Sequence, residues 1–274
     1  MISLINRKQI SMNKLLYGLV AVVLVAGGIY FGLSSRDNQP EQADNKPDRA
    51  LVASGHPEWQ PIMSQNGSEI KGAGPALVKM IFDELGIQTE FPYKGAWDEV
   101  QAKAKSGEVD SLVAAYKTDE RLTYMDYSDA YTTDPVALFV KKGSTLKFEQ
   151  WDDLIGKKGI GMVGDSYGQA FDDFMKAKLT VQTVQTSQEA FDLLLEGQAE
   201  WFVYSLYAGE KEIKQKLLID KVESLPKFVA EENFYITFSK KSPFAKYLPQ
   251  VNERIQKYKA DGTITQLITQ YKNQ

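Results

Sequence analysis

From residue 49 onward, short apolar runs alternate with stretches whose apolar positions recur every third or fourth residue. Ala50–Ala53 reads as a strand. Pro75–Leu85 reads as a helix, with Leu77, Met80, Ile81 and Leu85 on one face and Gly86 as its stop. Gln88–Phe91 reads as a strand, Trp97–Ser106 as a helix stopped by Gly107, and Val109–Ala115 as a buried strand. Strand, helix, strand, helix, strand with short loops implies a parallel sheet with crossovers. After an apolar strand at Val136–Val140 the alternation restarts. It runs through a helical turn at Trp151–Leu154, a strand at Gly159–Val163, a helix at Tyr167–Lys178 and a strand at Val181–Val184. Thr186-Ser187-Gln188-Glu189 is a capping box that opens a helix to Glu196, with Gly197 as its stop. A strand at Trp201–Tyr204, a helix at Leu206–Lys216 and a strand at Phe234–Phe238 follow. Ser242-Pro243 reads as a cap and first helical position for the closing helices, with Gly262 between them. Two α/β units without a linker imply two lobes joined by crossing strands, and no internal repeat is visible.

The N-terminal pattern is different. Leu15–Leu33 is an unbroken run of apolar residues and glycine with no charge, close to the ~20 residues that span a bilayer as a helix. Arg7, Lys8 and Lys14 precede it, so residues 1–14 are expected to stay in the cytoplasm and the rest to be exported. Bulky Ile29, Tyr30 and Phe31 at its end favour an uncleaved anchor over a signal peptide, while Gly32 and Ser34 would permit cleavage. Residues 34–47 are polar, hold two prolines and read as a flexible tether.

Composition narrows the function. The first 36 residues carry four basic side chains and no acid, so setting them aside takes the net charge from -4 to -8. An acidic body without a basic stripe argues against nucleic acid. The absence of cysteine excludes disulfides, thiol nucleophiles and a lipidated N-terminal cysteine, and a single histidine, His56, excludes a histidine-rich metal cluster. No cofactor is implied.

The stretch Gly107–Pro135 carries the strongest candidate chemistry: a buried strand, a polar turn with Arg121, then an aromatic and acidic run. An arginine beyond the carboxyl end of a strand in an open α/β sheet stands where such sheets bind ligands, and its planar fork suits a carboxylate. His56 and Trp59 follow the first strand at the same edge, and Trp97 follows the second. Gly164-Asp165-Ser166-Tyr167-Gly168 matches G-x-S-x-G, but no histidine follows it to activate the serine. It reads instead as a strand-to-helix turn whose backbone amides and Ser166 hydroxyl face a ligand. Gly159-Ile160-Gly161-Met162-Val163-Gly164 matches G-x-G-x-x-G, but its glycines lie inside a strand and no acid ends the next one.

Four segments in order then resemble one family. They are HPEWQPIMSQNGSEIKGAGPALVKMIFDELGI, WDEVQAKAKSGEVDSLVAAYKTDERLTYMDYSDAY, DLIGKKGIGMVGDSYG and YKADGTITQLITQY. Together they resemble the periplasmic solute-binding proteins of the polar amino acid type, bacterial solute-binding protein family 3. The resemblance implies a two-lobed type II periplasmic-binding fold, each lobe a mainly parallel sheet flanked by helices, joined by two hinge strands. Lobe one would hold residues 48–134 and 236–274, and lobe two residues 135–235. It implies a non-enzymatic, extracytoplasmic protein, tethered to the membrane by residues 15–33, that captures an amino acid or related solute for the membrane subunits of an ABC transporter. The alternatives are a cyclohexadienyl-dehydratase-like enzyme on the same fold, with Glu58 or Asp165 as its acid, and a sensor acting through a partner.

The family's carboxylate-binding arginine falls on Arg121, its aromatic walls on Trp59 and Trp97, and its ligand-contacting turn position on Tyr116. The lobe-two turn that also holds the carboxylate falls on Gly164, Asp165 and Ser166. His56 and Glu58 lie beside this set. The family's usual acid for a ligand ammonium is replaced by Tyr204, so the ammonium half of the site is altered.

Overall fold

The computed structural model describes residues 46–274, and the expected anchor and nearly all of the expected tether lie outside them. Among the described residues no helix is long and apolar enough to cross a membrane. The chain opens with β1 (Leu51–Ser54), a small antiparallel sheet of β2 (Glu58–Trp59), β3 (Met63–Asn66) and β4 (Glu69–Lys71), and α1 (Ala73–Glu84). There follow β5 (Thr89–Glu90), α2 (Trp97–Ser106), β6 (Ser111–Ala115) and the single-turn α3 (Asp119–Leu122). The 17-residue β7 (Met125–Lys141) comes next. Then come β8 (Lys158–Met162), α4 (Gln169–Lys178), β9 (Thr180–Val184), α5 (Ser187–Leu195), β10 (Trp201–Ser205), α6 (Leu206–Gln215) and β11 (Val222–Ser224). β12 (Ala230–Ser239), α7 (Leu248–Ala260) and α8 (Thr263–Lys272) close the chain.

The main sheet runs β5-β1-β6-β12-β7-β10-β8-β9, with β11 on β7. β1 lies parallel between β5 and β6, and β8 parallel between β10 and β9. Between these groups β12 and β7 run antiparallel, from Ala230 opposite Val136 to Ser239 opposite Met125. β12 also pairs with β6, and the far half of β7 pairs with β10, so these two strands carry the chain from one α/β group to the other. Their register shifts on either side of Tyr235, an irregularity of the kind that bends a strand and re-aims its side chains. The α/β class and the two crossing strands agree with the sequence reading.

β6 and β10 are buried at every residue, as expected of strands covered on both faces. The aromatic and acidic run before Pro135 is the first part of β7, with Met125, Ser128, Tyr131 and Asp134 as its buried positions. Two elements differ from expectation. α4 begins at Gln169, two residues later than the expected Tyr167, and Gly164, Asp165 and Ser166 sit in the turn ahead of it. Ser242-Pro243 does not start an α-helix: the Ser242 hydroxyl donates to Asp110 at 2.7 Å and accepts from the Phe244 amide, and α7 starts only at Leu248.

The G-x-G-x-x-G pattern has a packing cause. A Cβ on Gly159 would stand 2.1 Å from the Trp201 ring. The first glycine is therefore an imprint of a buried tryptophan on the neighbouring strand. Gly159→Ala is expected to cost about 1–3 kcal/mol through overpacking. Urea unfolding should show it as a lower midpoint with an unchanged slope; an unshifted midpoint would show that Trp201 yields freely.

Candidate functional site

The carboxyl ends of β1 and β6, the turn after β8 and the middle of β7 meet at one place. His56 lies in the loop after β1, and its Nδ1 accepts the Glu58 amide at 2.9 Å. That bond places the ring proton on Nε2, the nitrogen 3.2 Å from Oδ1 of Asp165. The His56 ring stands edge-on to Trp59, with centroids 4.9 Å apart, and 5.6 Å from Trp97.

Trp59 and Tyr116 share a partner that the sequence reading missed. The Trp59 indole N–H donates to Oδ2 of Asp134 at 2.9 Å, and the Tyr116 hydroxyl donates to the same oxygen at 2.5 Å. The Ser205 hydroxyl donates to Oδ1 at 2.8 Å while capping α6. Asp134 is buried in β7, and burial pushes its carboxyl up to about 6 although the three donors favour the charged form. Burial, with Asp134 beside it, holds the Tyr116 hydroxyl well above the usual phenol range.

Arg121 sits in α3, whose first turn is capped by the Thr118 hydroxyl. Its guanidinium is buried and lies 5.5 Å from the centre of the Trp97 ring. Nε donates to Gln101 at 2.8 Å, Nη1 to the Tyr116 carbonyl at 3.1 Å and Nη2 to the Gly164 carbonyl at 3.1 Å. All three acceptors are neutral, and no carboxylate among the described residues forms an ion pair with it. A guanidinium has five N–H groups, so donors remain for an anion.

The turn after β8 comes close to α2. Gly164 has φ +80°, and a Cβ there would stand 3.0 Å from that of Asp98, so glycine meets both the backbone and the space requirement. Its carbonyl accepts from Gln101 at 2.9 Å as well as from Arg121. Asp165 turns its side chain inward, where it is 0% exposed. Ser166 points elsewhere: its hydroxyl donates to Asp172 at 2.5 Å and accepts from the Gly168 amide. Burial raises the Asp172 carboxyl.

Glu58 and Tyr204 belong to the back of the site. The Glu58 carboxylate accepts the amide of Ser187, the first residue of α5, at 2.8 Å. The Tyr204 hydroxyl donates to the Glu58 carbonyl, and the Tyr204 ring packs 5.1 Å from Trp59. Among the expected site residues, His56, Trp59, Trp97, Tyr116, Arg121, Asp165 and Ser166 line one small cavity of about 20 Å³. Glu58, Gly164 and Tyr204 are not in that lining. A cavity of this size holds about one water. A wider cleft of about 470 Å³ opens on the other side of Arg121, past Gln101 and Lys105. Arg121, Asp165 and Ser166 are common to both.

Gln101 and Asp134 complete the arrangement. Gln101 gave no sequence signal, being one polar residue on a mostly polar helix. Asp134 did give one, as an acid directly before the apolar run from Pro135 to Val140.

Residues 51–274 match the model of the bacterial extracellular solute-binding proteins, family 3. The chain is similar to the probable amino-acid-binding protein YxeM of Bacillus subtilis, 21% identical over 256 residues, covering 92% of this chain and 94% of that one. It is also similar to the L-cystine-binding protein TcyA of the same organism, 24% identical over 277 residues, covering 93% and 96%. Among solved structures it resembles the amino acid ABC transporter substrate-binding protein AbpA of Streptococcus pneumoniae bound to L-arginine. The TM-score is 0.67 at 23% identity, covering 82% of this chain and 94% of that one; at that identity the likeness shows the fold.

Asp134 gives a pH test. Its carboxyl titrates near 6 when folded against 3.8 as a free side chain, so the folded state binds the extra proton between those values. The stability this group contributes is fully present below about pH 3.8 and lost as pH rises through about 6. The melting temperature of the wild type minus that of Asp134→Asn should therefore fall between pH 4 and pH 7. A flat difference would contradict the burial argument.

Proposed function

The chain belongs to the bacterial extracellular solute-binding proteins, family 3, and from that premise we propose that it captures a small carboxylate-bearing solute between two lobes, with Arg121 as the carboxylate anchor. The observation that carries this reading is a buried guanidinium with neutral partners only and N–H groups to spare. A buried cation gains most from an anion that enters with it. Trp97 beneath the guanidinium and Trp59 and Tyr116 beside the cavity form aromatic walls suited to the body of a small solute. The names of YxeM and TcyA favour an amino acid or a close relative.

The proposed lobes are residues 48–134 with 236–274, and residues 135–235. Pro135 and Ile236 lie on the crossing strands β7 and β12, which makes those strands the hinge. A cavity of about 20 Å³ is too small for an amino acid, so the lobes part to admit the solute and close over it. Delivery to an ABC transporter, placement outside the cytoplasm and tethering through residues 15–33 belong to the same proposal. YxeM and TcyA are named as binding proteins, which favours capture over catalysis.

Calorimetric titration with a panel of amino acids and organic acids tests the proposal. At least one solute should bind the wild type and raise its melting temperature in proportion to the logarithm of its concentration. Arg121→Ala should weaken that solute by roughly 100-fold or more, the loss of two charge-assisted hydrogen bonds. Arg121→Lys should restore little, because a lysine cannot supply the fork. Unchanged affinity in Arg121→Ala would overturn the anchor, and a panel without any binder would overturn the solute-binding role.

A further inference from the structure

Two contacts join the proposed lobes without entering the cavity between them. Glu58 belongs to the first proposed lobe, on β2; Ser187 and Tyr204 belong to the second, at the start of α5 and on β10. The Glu58 carboxylate accepts the Ser187 amide at 2.8 Å, and the Glu58 carbonyl accepts the Tyr204 hydroxyl. None of the three residues lines the small cavity or the wider cleft beside Arg121.

Each partner is prepared for this contact by its own surroundings. The Thr186 hydroxyl caps α5 by accepting the Glu189 amide, and the Ser187 amide, at the first helical position, has no carbonyl to donate to within the helix. It lies at the positive end of the helix dipole, where a carboxylate is held well. Ser187 is fully buried, so water does not replace Glu58 while the lobes are together. Glu58 is fixed from behind, because its amide donates to Nδ1 of His56 and it pairs with Ser64 across β2 and β3. Burial, with the negative charge of Glu58 beside it, holds the Tyr204 hydroxyl well above the usual phenol range, which keeps it a donor. Its ring is packed between Trp59 and Phe202, with centroids 5.1 and 5.0 Å away.

We propose that Glu58, Ser187 and Tyr204 form a latch that holds the closed lobes together and sets solute affinity without touching the solute. The inference rests on the lobe-closure reading and adds the residues that give closure part of its strength. Parting the lobes separates Glu58 from both partners and returns all three to water. The bonds exist only in the closed form, so their free energy enters the affinity of every solute as one common factor. Arg121 acts differently, since it meets the solute and discriminates by its chemistry. The latch also gives position 204 a role: its hydroxyl serves closure rather than recognition.

Calorimetry and stopped-flow fluorescence on the full-length protein test the latch, with the common L-amino acids as probes. Ser187→Pro deletes the amide hydrogen and keeps α5, because proline suits the first helical position and Thr186 already has the extended backbone that must precede it, with φ -131° and ψ 152°. Glu58→Ala removes the same bond from the other side. Each variant should weaken every probe that binds the wild type by about tenfold, the loss of one charge-assisted hydrogen bond. The ratios between probes should not change, and the loss should appear as faster dissociation with association nearly unaltered. The double variant should be no weaker than either single one, because both break one bond. Tyr204→Phe should weaken all bound probes by about threefold, as expected for a neutral hydrogen bond. A changed order of preference among probes would show that Glu58 touches the solute, and would overturn the latch. Losses that add in the double variant would overturn it as well. Unchanged affinity and dissociation in both single variants, with Arg121→Ala still defective, would overturn the latch and leave the carboxylate anchor standing. Absence of any binding would overturn both readings.

Discussion

A single buried carboxylate holds the centre of this molecule together. Asp134 sits in β7, where the chain passes between its two α/β groups, and takes hydrogen bonds from Trp59, Tyr116 and Ser205. These donors belong to β2, to the end of β6 and to the junction of β10 with α6. Water cannot compensate for the loss of any of them at a buried position. The same bonds fix what the cavity presents. They draw the polar ends of two aromatic side chains away from it and leave ring surface behind. One acid outside the cavity thereby sets the chemistry of its wall.

The cavity itself is arranged by charge. Arg121 stands at one side with neutral partners, and Asp165 at the other with almost none. Both line the same small cavity, so a polar group that enters it meets the two at close range. The turn after β8 brings the two within reach of the same cavity. Gly164 lets the backbone press against α2, which places its carbonyl on the guanidinium and turns the next side chain inward. The proposed hinge then carries this turn away from Arg121 when the lobes part.

Much of this was readable in the residues. The helix at Trp97–Ser106 ends at Gly107, as its glycine stop implied, with that residue in the left-handed conformation. Arg121 beyond a buried strand was readable from the order of elements. The failures have physical causes. From Met125 to Asp134 the buried residues of β7 recur at every third position, beside the register shifts at Tyr235, a spacing that strand alternation does not announce. The G-x-G-x-x-G pattern reflects Trp201, a contact more than 40 residues away that no local pattern contains. Asp165 was legible as a charge at a turn, but its desolvation depends on His56, which lies more than 100 residues earlier. Asp134 was visible as an acid, yet its three donors come from separate parts of the chain.

The central claim is that this protein closes around a solute anchored on Arg121. Because the chain lacks cysteine, two can be introduced and labelled without competition. Lys79 on α1 and Lys178 at the end of α4 are exposed positions in the two proposed lobes. Single-molecule energy transfer between labels there reports lobe closure directly. The account predicts that a bound amino acid shifts the population to the shorter distance, and that Arg121→Ala abolishes the shift at the same concentration. An unchanged distance distribution with solute bound, or a shift that survives the loss of Arg121, would contradict it.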